Sequence, residues 1–142
     1  MNLTFHEKSL WASLISTILI FGFYFSQAYM VLSDPLISEN KLGGLLIGVT
    51  ILIILTQIIL QASLAIFDYK DAGRKSDERE RLIDLKAGRI AHYILVLGVW
   101  ITILSIYFQP SSITLINILL FFFIVSELVG YVIQLHQFRK GV

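Results

Sequence analysis

The stretch GGLLIGVTILIILTQIILQASLAIF, Gly43–Phe67, decides the fold, because none of its residues carries a formal charge. A hydrocarbon core about 30 Å thick is crossed by roughly 20 apolar residues of α-helix, which rises about 1.5 Å per residue. The Leu- and Ile-rich centre of this stretch could form a buried strand in another context. At this length a helix is the stronger prediction.

Three further segments have the same character, and Glu127 is their only formally charged residue: Ser9–Leu32, Ile90–Phe108 and Ser112–Leu135. Of the 142 residues, 56% are apolar and 15% are charged, and the mean hydropathy is +0.79. An average soluble domain has about a quarter charged residues. These values exclude a disordered chain, a nucleic-acid-binding domain and a water-soluble globule. We predict an all-α integral membrane four-helix bundle of two antiparallel transmembrane hairpins, forming one domain over 1–142.

The hydrophilic stretch 68–89 is predicted to be a cytoplasmic linker that includes the start of the third helix. Asp77 and Glu80 have the spacing of an N-cap and its third helical residue. The third helix is therefore expected to run over about 77–108, with its membrane part at 90–108. The other helices are expected at about 9–32, 43–67 and 112–135.

The basic residues fix the expected orientation. Ten of the eleven lie on one side of the predicted spans: Lys8, the seven from Lys70 to Arg89, and the pair Arg139-Lys140. Only Lys41 lies on the other side. An excess of Lys and Arg in short loops marks the cytoplasmic side. Both termini and the linker are thus expected in the cytoplasm, in a multi-pass protein.

The sequence gives no indication of an enzyme. It lacks cysteine, which excludes disulfides, thiolate metal sites and a Cys nucleophile. It also lacks G-x-S-x-G, H-E-x-x-H and phosphate-binding glycine motifs, so no catalytic residue is assigned. The three histidines, His6, His92 and His136, come from different helices and are interpreted as boundary residues. No metal and no cofactor are expected.

Glu127 is the one formal charge within the predicted hydrocarbon, about 12 Å from the inner boundary. Gln57 lies at a similar depth of about 15 Å on the second helix, and Gln61 is one turn away on the same face. A buried acid is expected to face the protein interior and to be protonated or paired with a donor. Other polar residues expected to line this interior are Ser13, Ser16, Thr17 and His92.

This membrane-embedded polar site has two interpretations. In the first, Glu127 is the coupling carboxyl of a small proton- or cation-coupled transporter, with Gln57 and Gln61 lining the site. Such a transporter is expected to be a homodimer, because four helices enclose little volume. In the second, which we favour, Glu127 is a neutral acid hydrogen-bonded to Gln57, a contact worth about 1 kcal/mol that ties the second helix to the fourth.

The glycine pair Gly44 and Gly48 has the small-xxx-small spacing that lets two helices approach closely. It predicts tight packing in the outer half, either within the bundle or across a dimer.

The charged residues near the inner boundary form a candidate cytoplasmic interaction face: Glu7, Lys8, Asp77, Glu78, Arg79 and Arg139. This face could dock a protein partner, or it could be a solvated, salt-bridged helical extension that enforces topology. Carboxylates at these spacings, without a histidine among them, match no metal-ligand pattern well.

Three stretches together resemble a family of uncharacterised small four-span bacterial inner-membrane proteins. Phe5–Trp11 resembles an F-x-E-K-S-x-W opening, Asp77–Gly88 a D-E-R-D-x-x-I-E-x-[KR]-[AS]-G linker, and the segment from Glu127 to Gly141 an E-x₆-Q-x₄-R-R-G ending. The resemblance covers the length of the chain; Lys140 departs from it by replacing an Arg. It implies the topology and a bacterial inner membrane, and it brings no activity, substrate or partner.

Most of the motif positions lie at the predicted inner face, which favours a structural or interaction role there over transport. We therefore predict a non-enzymatic inner-membrane protein with a charged cytoplasmic collar. The partners expected are membrane lipids and a cytoplasmic protein, with a second copy of the chain if the protein is a transporter. Nucleic acid is excluded.

Overall fold

The structure is a computed structural model, and it describes residues 5–33, 39–67 and 78–140. These residues form four long helices: α1 (Phe5–Ser33), α2 (Glu39–Phe67), α3 (Glu78–Ser105) and α4 (Ser112–Lys140). A short 3₁₀ turn, Ile106–Phe108, follows α3. The described residues are thus almost entirely helical, as predicted, and all four α-helices are long and apolar enough to cross a membrane.

The helices extend beyond the apolar segments from which they were predicted. Helix α1 begins at Phe5 rather than near Ser9, and α4 continues to Lys140 rather than ending near Leu135. The apolar pattern marks the hydrocarbon and not the helix ends, and neither extension contains a glycine or proline to stop it. Asp77, the predicted start of the third helix, lies outside the described residues.

The turn between α3 and α4 has a simple physical cause. Gln109 adopts a left-handed conformation, with φ of 51°, and its N–H donates to the Ile106 carbonyl over 2.9 Å. Pro110 follows and cannot continue a helix. The Ser111 hydroxyl then accepts the Thr114 N–H at 3.3 Å, which caps the start of α4.

The four helices pack in the order α2, α1, α4, α3, and each neighbouring pair runs antiparallel. Helices α1 and α4 are the inner pair, and α2 and α3 flank them. Among the 18 most apolar consecutive residues of each helix, 39% are buried in α1 but only 6% in α3. Because neighbouring helices are antiparallel, one end of the molecule contains the start of α1, the end of α2, the start of α3 and the end of α4. We call it the basic end.

Two apolar clusters lie between the inner helices and their neighbours. The larger one surrounds the fully buried Tyr24 and joins α1, α2 and α4: Phe21, Ala28, Leu42, Val49 and Ile124. The smaller one lies nearer the basic end and contains Leu10, Leu14 and Leu135.

The seam between α3 and α4 depends on small residues. A Cβ atom added at Gly98 would overlap the Cβ and ring of Phe122, so only glycine fits there. At Gly130 an added Cβ would lie 3.6 Å from Ala91, which is ordinary contact. By contrast, Gly44 and Gly48 face open space, so the close packing expected of them within the bundle is wrong for the described residues. The reason is that α2 is a flanking helix and this pair faces away from α1.

Candidate functional site

A ladder of serine and glutamine side chains joins α1 to α2. The Ser9 hydroxyl donates to Gln61 Oε1 at 2.9 Å, and the Ser13 hydroxyl donates to Gln57 Oε1 at 3.0 Å. In the reverse direction, Gln57 Nε2 donates to Ser16 Oγ at 3.2 Å and Gln61 Nε2 donates to Ser13 Oγ at 3.4 Å. The two glutamines are one turn apart, and the three serines share one face of α1, so the two rows interdigitate. We call these five residues the Ser–Gln ladder.

The ladder corrects the expected partner of Gln57. Both hydrogen bonds of its amide go to α1, so in the described part of the chain it forms no hydrogen bond with Glu127. The oxygen of this amide accepts from Ser13 and its NH₂ group donates to Ser16, so both ends of the amide are directed toward α1. The predicted tie between the second and fourth helices is therefore wrong.

Glu127 instead lines a small cavity between α1, α2 and α4. The cavity has a volume of about 150 Å³, and half of its eight lining side chains are apolar: Phe21, Ile53, Phe123 and Ile124. Thr17, Gln57 and Tyr131 supply the other polar groups. Tyr131, one helical turn beyond Glu127, lines the same cavity.

The cavity assembles only part of the predicted polar site. Glu127 and Gln57 meet there, whereas Gln61 does not line it. Thr17 lies where the sequence predicted, but His92 is exposed on the flanking helix α3. The sequence reasoning missed Tyr131, although its position one turn after Glu127 was a usable signal.

A second polar contact, farther from the basic end, was also missed. The Tyr24 hydroxyl donates to Asn117 Oδ1 at 2.8 Å, and Asn117 Nδ2 donates to the Ile113 carbonyl at 2.8 Å. Both side chains are buried, and the contact joins α1 to α4. An asparagine within an apolar helix is the signal that would have identified this contact.

At the basic end, side chains from three helices converge. His6 Nε2 lies 3.5 Å from Asp84 Oδ1, which links the start of α1 to α3. The His6 ring centroid is 5.1 Å from that of Phe138, and the guanidinium carbon of Arg139 lies 5.6 Å from the centre of the Trp11 ring. The ends of α1, α3 and α4 are thus held together by a histidine–carboxylate contact, a ring contact and a cation–π contact.

The predicted interaction-face residues that the structure describes all belong to this end of the molecule. Glu7 and Lys8 are partly buried on α1, while Glu78, Arg79 and Arg139 are exposed at the start of α3 and on α4. Asp77 lies outside the described residues.

An open groove of about 920 Å³ separates the start of α3 from the end of α4. Four basic side chains and one acid, Glu78, line it, and the basic ones are Arg79, Lys86, Arg89 and Lys140. Leu82 and Leu85 supply apolar surface. The 3.6-residue spacing of Arg79, Leu82, Lys86 and Arg89 on one helical face was visible in the sequence, but the groove needed the fold to bring Lys140 opposite them.

Comparison of the sequence with protein families, with curated proteins and with solved structures gives no significant match. Among residues 5–33, 39–67 and 78–140, no group of three His, Asp or Glu side chains is placed to hold a metal ion. The side-chain geometry described above is therefore the basis on which we infer a function.

Proposed function

We propose that the protein is a non-enzymatic, multi-pass protein of the bacterial inner membrane whose basic end docks a cytoplasmic protein partner. Both termini lie in the cytoplasm in this proposal, as the distribution of Lys and Arg predicts. The docking surface is a charged collar, defined as Glu7, Lys8, Glu78, Arg79 and Arg139 together with Asp77, which the structure does not describe.

One observation carries the proposal: the three stretches with motif-like sequence meet at the basic end. His6 and Trp11 belong to the opening stretch, and they contact Asp84 of the linker stretch and Arg139 of the ending. Residues more than seventy positions apart in the chain thus form one charged and aromatic surface. The Trp11 ring is partly buried and Arg139 is exposed there, and aromatic and Arg side chains are enriched at protein–protein interfaces.

The polar groups inside the spans support the same assignment. The glutamines form hydrogen bonds to serines of α1, which is a structural use of these side chains. In hydrocarbon such bonds hold helices together, because apolar contact alone gives no preference for protein over lipid.

The proposal is tested by affinity purification from native membranes in mild detergent, with quantitative mass spectrometry of the bound proteins. The test variant exchanges the charges at two exposed collar positions, Glu78→Arg with Arg79→Glu, so that the net charge is unchanged. The matched control reverses one exposed charge at the opposite end, Lys41→Glu.

We expect a reproducible soluble partner to be recovered with the unaltered protein and with the Lys41→Glu control, and to be lost with the collar variant. Recovery of no reproducible soluble protein would overturn docking and leave the collar with a structural role. Equal recovery with the collar variant would exclude Glu78 and Arg79 from the surface.

A second candidate function is proton- or cation-coupled transport, and the position of Glu127 favours it. Its carboxyl lines a cavity with Thr17, Gln57 and Tyr131 rather than being enclosed by a partner helix. Protein reconstituted into liposomes should then show pH-driven flux that Glu127→Gln abolishes. Identical behaviour of the two proteins would remove this candidate and leave Glu127 as a structural acid.

A further inference from the structure

The groove between α3 and α4 shares Glu78 and Arg79 with the docking collar and adds three cations that the collar does not contain. Lys86, Arg89 and Lys140 are exposed and line it, and in the described part of the chain none of them has a carboxylate within ion-pair distance. Arg79 adds a fourth cation, against a single acid, Glu78. The groove is therefore an electropositive site that attracts an anion.

The surroundings of the groove indicate which kind of anion it takes. Leu82 and Leu85 line the groove and are 67% and 60% exposed, so apolar surface is presented beside the cations. Arg89 immediately precedes the predicted membrane part of α3 at 90–108. One and two turns deeper on the same face, Tyr93 and Leu97 are exposed and apolar.

We propose that this groove binds the headgroup of an anionic phospholipid, with its acyl chains along the exposed apolar face of α3. The phosphate meets Lys86, Arg89 and Lys140, and the acyl chains run from there past Tyr93 and Leu97, one and two turns deeper on α3. Basic pockets between transmembrane helices at the cytoplasmic surface have the charge and the position that such headgroups require. The proposal does not depend on docking of a protein to the collar.

The experiment uses the purified full-length protein in detergent and measures lipid binding by native mass spectrometry. Four probes separate the sources of negative charge: short-chain phosphatidylglycerol, phosphatidylcholine with the same chains, glycerol phosphate, and a polyglutamate peptide. The test variant is Lys86→Gln with Arg89→Gln. The matched control removes two cations at the same end that do not line the groove, Arg81→Gln with Arg139→Gln.

We expect phosphatidylglycerol to bind the unaltered protein and the control variant equally, and to bind the groove variant about 25-fold more weakly, at about fivefold per cation. The exchange Lys86→Arg with Arg89→Lys keeps the charge and should retain binding, which separates loss of the site from loss of folding. Binding to the unaltered protein should also weaken with added salt.

Four results would overturn the proposal. Equal weakening in the groove and control variants would indicate general electrostatic attraction rather than a site. Equal binding of phosphatidylcholine would show that the net negative charge of the headgroup does not determine binding. Glycerol phosphate binding as tightly as phosphatidylglycerol would identify a soluble phosphate site, and tighter binding of polyglutamate would identify an acidic protein as the occupant.

Discussion

Polar side chains are hydrogen-bonded to one another in the membrane-spanning part of this protein and are exposed at its basic end. Within the spans, the Ser–Gln ladder and the Tyr24–Asn117 pair use their hydrogen bonds on one another. At the basic end, Lys86, Arg89 and Lys140 line an open groove and are exposed.

The difference follows from the two solvents. An unpaired polar group in hydrocarbon costs several kcal/mol, so polar residues within the spans are expected to be satisfied internally and to hold helices together. At the membrane surface, water solvates a cation, which stays available for a ligand. Substitutions in the spans should therefore change stability and leave binding intact, whereas substitutions of the exposed groove cations should change binding and leave stability intact.

The largest effect is expected at the seam between α3 and α4. Gly98→Ala should destabilise the protein by about 1–3 kcal/mol, because the added Cβ overlaps Phe122 and forces the helices apart. Thermal unfolding in detergent measures it. Gly130→Ala is the matched control, since its Cβ finds ordinary contact at 3.6 Å from Ala91, and it should be neutral or stabilising. Equal destabilisation by both would contradict the close approach at Gly98.

The next effect is expected at the contact between α1 and α4. Tyr24→Phe removes the hydroxyl and leaves the buried Asn117 Oδ1 without its donor, which should cost about 1–2 kcal/mol in the same unfolding assay. Tyr29→Phe is the control, because Tyr29 is 75% exposed and should show no change. A neutral Tyr24→Phe would mean that this hydrogen bond does not stabilise the seam.

A smaller effect is expected from the Ser–Gln ladder. A double-mutant cycle of Ser13→Ala and Gln57→Leu should give a coupling energy of about 0.6 kcal/mol and no more than about 1.7 kcal/mol, the range measured for such bonds in membranes. The control cycle pairs Ser13→Ala with Ser63→Ala, whose hydroxyl bonds to its own helix at the Ile59 carbonyl. A coupling energy of zero in the first cycle would show that the ladder does not stabilise the packing of α1 against α2.

An effect of about the same size is expected at the cation–π contact of the basic end. A cycle of Trp11→Leu and Arg139→Gln should give a coupling of about 0.5–1 kcal/mol, because the site is partly exposed. Phosphatidylglycerol binding should be unchanged in both single variants, since neither residue lines the groove. A loss of lipid binding in the single variants would show that the cation–π contact supports the lipid site.

Much of the fold could be predicted from sequence, because the membrane simplifies the problem. An uncharged run such as Gly43–Phe67 has few alternatives to a spanning helix. The helix ends were less accessible, since hydropathy reports where the hydrocarbon stops and α4 continues past it to Lys140.

The sequence did not predict which helices pack against one another. Depth alone placed Gln57 beside Glu127, but depth does not say which way a side chain points around its helix. The choice between Glu127 and the serines of α1 depended on α1 lying between α2 and α4. The same limit affected the glycines: Gly44 and Gly48 had the expected spacing, whereas the close contact formed at the unremarked Gly98.

The central claim is that the basic end is the working surface of the protein, and site-specific photo-cross-linking in intact cells tests it most directly. A photoreactive residue is placed at Arg81, exposed at the basic end outside the groove, or at Tyr107, which is 89% exposed at the opposite end. We predict a cross-link to a soluble cytoplasmic protein from Arg81 only, lost when Glu78→Arg and Arg79→Glu are introduced. No protein cross-link from Arg81, or the same cross-link from Tyr107, would contradict the claim.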